Sequence, residues 1–461
     1  MKTNSGFRAH ATFALCTFTA LALVAAHGSG RPRNRDAGAG ETHGGPADGA
    51  KTDERTPPVK PGTNEEPATR GSLDAARAGE TRSIADQPPA PFRGELIEIA
   101  FETATKMPVK PHIVTRSRMQ DEIAATCFEL DQPKRALHYV ENIADWRRGK
   151  GYAEYALYCA RHGETAQVQR FLDRALAVAR DWAKNDDSQD WQIDRIRAAI
   201  AATHIVLGET TAADDISSGI SDSELGAVES EKARRMSASD FDTEFDVLTS
   251  VLGTGNFDQK KNALETCVRL FSRFYDDAGR RARLEEKIRT SWEKLPLTIR
   301  IETMMGLADA AISNRDREKA LALLEEALAM KDSAPWLIEV ELEIDARLAA
   351  LRHRAGDTER AKVEIDGALA RFRSERDKIA NYRRGHVLRP LAEAYETMGD
   401  APTALSVYKL ALEEGALNPN ARPRAEDLVA TCRSMARRGV APDAELLARI
   451  KEIRDGLKDP W

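Results

Sequence analysis

The chain has 461 residues, of which 42% are hydrophobic and 31% charged, so it is long enough to bury a large core. Only 6% of the residues are aromatic and strand-forming runs are scarce, which excludes a β-rich class and favours helices. The formal net charge of −6 excludes a whole-protein cationic field of the kind that holds nucleic acid or an anionic membrane.

Residues 1–26 have the pattern of an export signal. Lys2 and Arg8 precede an uncharged, apolar run from Ala11 to Ala26 that ends in small residues. We therefore expect cleavage after Ala26. The alternative is an uncleaved membrane anchor, but the run is shorter than the roughly 20 residues that span a bilayer. The predicted location is the bacterial periplasm or cell envelope, with secretion as a further option.

Residues 27–91 are rich in Gly, Pro, Ala and Thr and contain few large apolar side chains. Such a segment cannot bury enough apolar surface to offset the entropy lost on folding. We interpret it as a disordered linker between the export signal and the folded part.

From about Phe92 a helical pattern begins, and one arrangement recurs in the second half of the chain. An apolar helix ends at a turn residue, and a second helix follows with small or apolar residues five, nine and twelve positions later. Successive turns are 41 and then 43 residues apart. Glycine suits such a turn because it adopts a left-handed backbone without strain. The strongest examples are Gly399 with Ala404, Tyr408 and Ala411; Gly356 with Ala361, Ile365 and Ala368; and Arg315 with Ala320, Leu324 and Ala327.

This arrangement resembles the tetratricopeptide repeat family, whose units are pairs of antiparallel helices. The matching positions of the best copy are Leu391, Ala392, Tyr395, Gly399, Ala404, Tyr408 and Ala411. Arg315 departs from the family at a turn glycine, and Arg352 replaces an aromatic residue. The resemblance implies an all-α fold, a curved α-solenoid of helix pairs.

The match is not even along the chain. We expect degenerate repeats over residues 92–257, with Asp214 to Phe257 as an irregular unit or an insertion. Residues 258–461 are expected to hold clearer repeats and a final capping helix pair around Gly439.

Three local features add predictions about helices. Asp400, Thr358 and Asp316 are predicted to cap the second helices of their units. Acidic and apolar residues alternate from Ile338 to Asp345, but the repeat context favours a helix with an acidic face over a strand. Pro390 is expected to delay or kink its helix.

The motifs of common enzymes do not occur in the part of the chain that is predicted to fold: there is no His-Glu-x-x-His pair, phosphate-binding loop, dinucleotide motif or nucleophile elbow. We therefore predict no catalytic residue, no metal site and no cofactor. Four cysteines, Cys127, Cys159, Cys267 and Cys432, are expected to be buried free thiols, with a disulfide as the alternative. The basic clusters at 147–150, 280–283, 383–384 and 437–438 are interpreted as solvated charge, so nucleic acid is not an expected partner.

In tetratricopeptide proteins the first helices of successive units line a groove that holds a peptide or a helix. The resemblance therefore implies a partner-binding groove at Glu343, His353, Arg354, His386, Arg389, Glu393 and Glu396. Chaperone-binding members use an asparagine where this chain has Ala350 and Glu393, which argues against that subclass.

The leading hypothesis for function is an exported, non-enzymatic scaffold for unidentified protein or peptide partners. Membrane contact is expected only if the N-terminal segment stays uncleaved. One alternative is a structural envelope protein that self-associates. Another is an enzyme with an unfamiliar site between Asp214 and Phe257.

Overall fold

A computed structural model describes residues 85–87, 89–293 and 295–461 of the chain. The predicted export signal and most of the predicted linker lie outside these residues. Every described residue belongs to one compact unit, Thr81–Trp461.

This unit is all-α: its described residues form nineteen α-helices and three short 3₁₀ turns, without a strand. The prediction of an all-α fold is confirmed. The helices are α1 Pro91–Lys106, α2 Val109–Glu129, α3 Pro133–Glu141, α4 Arg147–Arg161, α5 Val168–Trp182, α6 Asp190–Leu207, α7 Thr210–Ser217, α8 Gly226–Arg235, α9 Phe241–Thr254, α10 Phe257–Arg273, α11 Ala278–Ser291, α12 Leu297–Ser313, α13 Arg317–Asp332, α14 Ile338–Arg354, α15 Thr358–Glu375, α16 Asn381–Thr397, α17 Ala401–Ala416, α18 Ala421–Arg438 and α19 Ala444–Asp455.

The helices are arranged in two layers. Each even-numbered helix from α2 to α18 packs on the even-numbered helices before and after it, and we call these nine the inner helices. Most odd-numbered helices pack against the inner helix that they follow, as in the pairs α4 with α5, α12 with α13 and α16 with α17. We call them the outer helices. This consecutive packing of antiparallel pairs confirms the predicted α-solenoid.

The inner series closes on itself, because α18 packs against both α1 and α2. On the apolar side, α1 buries Leu96, Ile97 and Ala100 completely. On the polar side, Arg118 of α2 donates to Glu426 of α18 at 2.9 Å, and Arg433 of α18 donates to Glu122 of α2 at 2.5 Å. The helices of this unit therefore form a closed circuit, a feature that the repeat pattern alone does not predict.

The last two helices are α18 and α19, which are joined through the left-handed Gly439. The helix that covers α18 most extensively is α1, and α19 makes smaller contacts with α17, α18 and α1. Lys106 and Glu102 near the end of α1 contact Arg454 near the end of α19. The first and last helices of the unit are thus neighbours in the outer layer.

Left-handed residues end the inner helices at the predicted turns. Gly356 and Gly399 have φ values of 88° and 76°, and Arg315 adopts a φ of 62° in the place of a glycine. Asp131, with a φ of 54°, ends α2 in the same way, although the sequence pattern does not single it out. The repeat register of the C-terminal half is confirmed.

Two of the three predicted caps are present. The carboxylate of Asp316 accepts from the Lys319 N–H at 3.0 Å, and that of Asp400 accepts from the Thr403 N–H at 3.2 Å. The prediction for Thr358 is wrong: it is the first residue of α15, the preceding Asp357 occupies the cap position, and no side chain caps this helix.

The buried interior follows the repeat pattern, with Ala361, Ala404 and Ala320 completely buried where paired helices approach closely. Arg352, which replaces an aromatic residue, is only 1% exposed. Its guanidinium donates to Glu364 at 2.9 Å and to Glu325 at 2.6 Å. The neighbouring helices thus supply carboxylates where the repeat family has apolar packing.

All four cysteines in the described residues are buried and free, as predicted. Burial raises the pKa of the Cys127, Cys267 and Cys432 thiols to about 12 and that of Cys159 to about 11. The thiolate, which is the reactive form, is therefore disfavoured at neutral pH.

The least regular part of the sequence keeps to the same plan. The stretch from 214 to 257 contains the end of α7, all of α8 and all of α9. Although α8 is short, it packs on α6 and α10 and so continues the inner series. Further along, α14 is a helix from Ile338 as predicted, and α16 begins at Asn381 and runs through Pro390 without a late start.

Candidate partner-binding surface

The seven residues of the predicted groove lie on two neighbouring inner helices. Glu343, His353 and Arg354 belong to α14, and His386, Arg389, Glu393 and Glu396 belong to α16. Inner helices are separated along the chain by one outer helix, so they run in the same direction and offer equivalent faces. We call the surface that these faces form the inner face.

Three of the seven residues have ionisable side chains that solvent can reach. His386 Nε2 lies 3.8 Å from a carboxylate oxygen of Glu343 on the neighbouring helix. Arg354 is exposed and donates to Asp309 of α12 at 2.5 Å. These contacts link α12, α14 and α16 across the inner face and leave the charged groups partly open to a ligand.

Arg389 occupies a different environment, since only 9% of its surface is exposed. Its guanidinium donates to Asp427 of α18 at 2.9 Å and lies 3.3 Å from His386 Nδ1. A Cβ atom on Gly415 would approach the Asp427 Cβ to 2.9 Å, so this glycine makes room for the carboxylate. Arg389 therefore joins α16 to α18 and presents little surface to a partner.

Glu393 is also held by α18. Its carboxylate accepts from Ser434 at 2.6 Å and from Arg438 at 2.7 Å, and Ser434 in turn contacts the Tyr408 hydroxyl at 2.7 Å. Burial acts to raise the pKa of Glu393, but the charge of Arg438 and these hydrogen bonds lower it overall. The group is therefore an ionised, fully bonded carboxylate.

The two remaining residues are half-buried. Burial raises the pKa of Glu396, and the negative charge of nearby Glu393 adds to this while Arg438 opposes it. The Nδ1 atom of His353 is buried without a hydrogen-bond partner among the described residues. Neither side chain contacts the half-buried pair His386 and Glu343.

Ion pairs between successive inner helices recur along the circuit. They bring opposite charges together on adjacent faces, so the inner face is highly charged but locally neutral. A ligand that carries both charges can pair with both members of such an ion pair without leaving a bare charge. The pairs are Lys150 with Asp121, Arg347 with Glu302, Arg354 with Asp309, Arg438 with Glu393, Arg118 with Glu426 and Arg433 with Glu122.

Sequence reasoning missed the contributions of α18, namely Asp427, Ser434 and Arg438. Arg438 was interpreted as solvated charge at a helix end, but it binds Glu393. A signal for this pairing does exist in the sequence. Donor and acceptor are 45 residues apart in Glu302–Arg347, Asp309–Arg354 and Glu393–Arg438.

Other basic clusters also contain paired rather than solvated charge. Arg147 is buried against Asp145, with 2.5 Å between donor and acceptor. Lys150 lies between Asp121 and Glu154, at 3.0 and 2.7 Å. The interpretation of the 147–150 cluster as solvated charge is therefore wrong for these two residues.

Within residues 85–461 as far as the structure describes them, no group of three or more His, Cys, Asp or Glu side chains is placed to hold a metal ion. Among these same residues, no helix is both long enough and apolar enough to cross a membrane. A comparison with the profiles of known protein families finds none that matches the chain, and a comparison with curated proteins finds no match either.

Proposed function

We propose that this chain is an exported, non-enzymatic scaffold of the tetratricopeptide-like kind, which binds a protein or peptide segment on its inner face. The observation that supports the proposal most strongly is the set of partly exposed charges on α14 and α16. Arg354, His386 and Glu343 are held at fixed positions on adjacent helices by partners of their own. Rigid, pre-positioned charges suit recognition because little side-chain entropy is lost on binding.

The closed circuit limits the size of the partner segment. Nine helices with axes about 9 Å apart would form a circle about 25 Å across between axes. Since a helix with its side chains is about 10–12 Å thick, an opening of about 15 Å would remain. An opening of that width admits an extended chain or a single helix, but not a folded domain. The proposed ligand is therefore a flexible or helical segment that carries both charges.

The test is recovery of partners from the native cell by crosslinking the tagged full-length protein. The informative variant is Arg354→Glu with His386→Glu, which places carboxylates at both positions of the inner face. The matched control is Arg449→Glu on the outer helix α19, where the arginine likewise forms a surface ion pair, with Glu413 at 2.8 Å. Arg389 is left unchanged because its loss would disturb the buried contact with Asp427.

We expect a reproducible partner with the wild type and with the control, and at least a tenfold loss with the inner-face variant. Equal recovery with both variants would contradict an inner-face site. If no partner is recovered and the size of the purified protein grows with concentration, the self-assembling alternative is favoured instead.

A further inference from the structure

Exposed apolar side chains gather at one edge of the described unit. We call the edge at which the inner helices begin the leading edge, and the opposite edge, where the left-handed residues lie, the turn edge. Of the eight large apolar side chains that are exposed among the described residues, six lie at the leading edge. They are Val109, Val114, Phe257, Leu337, Tyr382 and Leu417.

The other two, Val247 and Val363, lie within the outer helices α9 and α15, so none lies at the turn edge. Single exposed apolar residues are ordinary. Their concentration at one edge calls for an explanation, because connections with exposed residues occur at both edges. The leading edge therefore carries exposed large apolar side chains, which the described residues of the turn edge lack.

Four of these side chains come from three connections that lie next to each other. Val109 and Val114 follow the α1–α2 connection, Tyr382 follows the α15–α16 connection, and Leu417 begins the α17–α18 connection. The α16, α18 and α2 helices are consecutive inner helices. The exposed fractions of these apolar side chains are large, at 61% for Val114, 57% for Tyr382 and 62% for Leu417.

Cations without an ion pair surround these apolar side chains. Lys110 adjoins Val109, Arg383 adjoins Tyr382, and Arg422 opens α18 beyond Leu417; none of the three forms a salt bridge with a described side chain. Lys458 belongs to the C-terminal segment, which reaches the same edge because the Ala421 N–H donates to the Pro460 carbonyl. Cations without a salt bridge to a described side chain also occur elsewhere, as at Lys134 and Arg315 of the turn edge, but no exposed large apolar side chain accompanies them there.

The acidic groups nearby are shared with further cations. Glu426, which interacts electrostatically with Arg422, forms its salt bridge with Arg118 at 2.9 Å. Asp377 is already shared by Arg376 at 3.1 Å and Arg384 at 3.7 Å. Exposed Asp459 is a single carboxylate next to Lys458. The part of the leading edge formed by the α1–α2, α15–α16 and α17–α18 connections therefore carries net positive charge, although the whole chain has a formal charge of −6.

We propose that this part of the leading edge docks on the surface of an anionic lipid bilayer. Separate apolar side chains with cations between them suit a headgroup layer, in which the apolar groups insert and the cations meet lipid phosphates. A protein partner of comparable size would instead require a contiguous, tightly packed apolar centre. The contact is peripheral, and it is independent of the inner face and of the proposed scaffold function.

The test uses the full-length protein with a photoreactive phenylalanine analogue at position 417 and vesicles of phosphatidylglycerol and phosphatidylcholine in equal parts. The matched control carries the analogue at position 363, which is exposed on the outer helix α15. Because the label reports only its own surroundings, binding through the N-terminal segment does not imitate the result. We expect lipid adducts at position 417 at least tenfold above those at position 363.

The contribution of the cations is tested with a triple variant that combines Lys110→Glu, Arg383→Glu and Arg422→Glu. The control is Lys134→Glu at the turn edge. Each cation near an anionic surface changes partitioning about fivefold, so the triple variant should lose more than 100-fold in lipid adducts at position 417. All four wild-type side chains are exposed or half-buried, so we expect the variants to fold. Circular dichroism checks this. The proposal would be overturned if no lipid adducts formed at position 417. It would also be overturned if vesicles of pure phosphatidylcholine gave as many adducts as the mixed vesicles, or if the triple variant gave as many as the wild type.

Discussion

At the scale of single residues, burial decides which of the many ion pairs contribute to stability. Arg389 and Asp427 are both largely buried, whereas Arg449 and Glu413 are partly exposed on outer helices although their distance is similar, at 2.9 and 2.8 Å. Removal of one partner from a buried pair leaves an uncompensated charge in a medium of low dielectric constant. An exposed charge is instead hydrated by water.

Asp427→Ala should therefore lower the free energy of unfolding by about 3–5 kcal/mol, because Arg389 remains buried without its carboxylate partner. The control Glu413→Ala should change it by no more than about 1 kcal/mol. Urea denaturation followed by circular dichroism measures both. A loss of similar size in the two variants would show that the Arg389–Asp427 pair is as hydrated as a surface pair.

A pH effect is expected at Asp316, the cap of α13. Burial acts to raise its pKa, but hydrogen bonds from the Lys319 N–H and the Tyr275 hydroxyl lower it below the ordinary value of 3.8. A carboxyl group with a depressed pKa stabilises the fold above its unfolded pKa, and this stabilisation is lost as pH falls through the folded pKa.

Asp316→Asn keeps a capping oxygen but cannot ionise. The urea midpoint of the wild type should consequently fall more than that of this variant between pH 7 and pH 3. Parallel curves for the two proteins across that range would mean that Asp316 contributes no ionisation-linked stability.

At the scale of elements, a small residue in the second helix of each pair permits close contact with the first. Ala361 of α15 and Ala404 of α17 are completely buried at such contacts. The repeat pattern identifies both positions correctly because the requirement is local: only a small side chain fits between two touching helices.

Ala361→Leu and Ala404→Leu should each overpack a pair and cost about 1–3 kcal/mol of stability. Ala401→Leu, at the exposed start of α17, is the control and should cost much less. Thermal unfolding measures all three. If the buried substitutions left the unfolding temperature unchanged, the register of the helix pairs would be wrong.

Helices and turns were predictable wherever one dominant local requirement acts. The left-handed turns at Gly356, Gly399 and Arg315 follow from sequence, because the pattern of small residues on both sides marks them even where glycine is absent. The cap at Thr358 was misplaced because Asp357 and Thr358 both have capping side chains, and the choice between them depends on where the preceding turn ends.

The candidate surface was less predictable than the fold. Sequence places Glu343, His386 and Glu393 on inner helices through the repeat register. It does not show which side chains of these helices are already bonded, because Arg438, the partner of Glu393, and Asp427, the partner of Arg389, belong to another repeat. Burial of Arg389 therefore could not be inferred from its own helix.

At the scale of the whole molecule, closure depends on contacts between residues that are more than 300 positions apart. Arg118 contacts Glu426 and Arg433 contacts Glu122 at separations of 308 and 311 residues. No local sequence pattern predicts such contacts, because a helix pair has the same sequence pattern in an open solenoid and in a closed one. This explains why the sequence predicts helix pairs but not a circuit.

Arg433→Glu should weaken the closure, because it places two carboxylates together and removes a charge-assisted hydrogen bond worth about 1.5–3 kcal/mol. Hydrogen exchange should then rise at least tenfold in α1, α2 and α18 together. The combination with Glu122→Arg should restore much of the protection, since it reverses the pair. Faster exchange confined to α18 would indicate that the two ends of the unit open independently.

Closure also constrains how such a protein can change in length during evolution. An open solenoid can gain or lose a repeat by duplication or deletion at little cost, since each unit contacts only its neighbours. Here an added helix pair would have to widen the whole circuit or break the contact between α18 and α2. Related chains that keep this contact should consequently share the same number of inner helices, and their length should vary in loops and at the N-terminus instead.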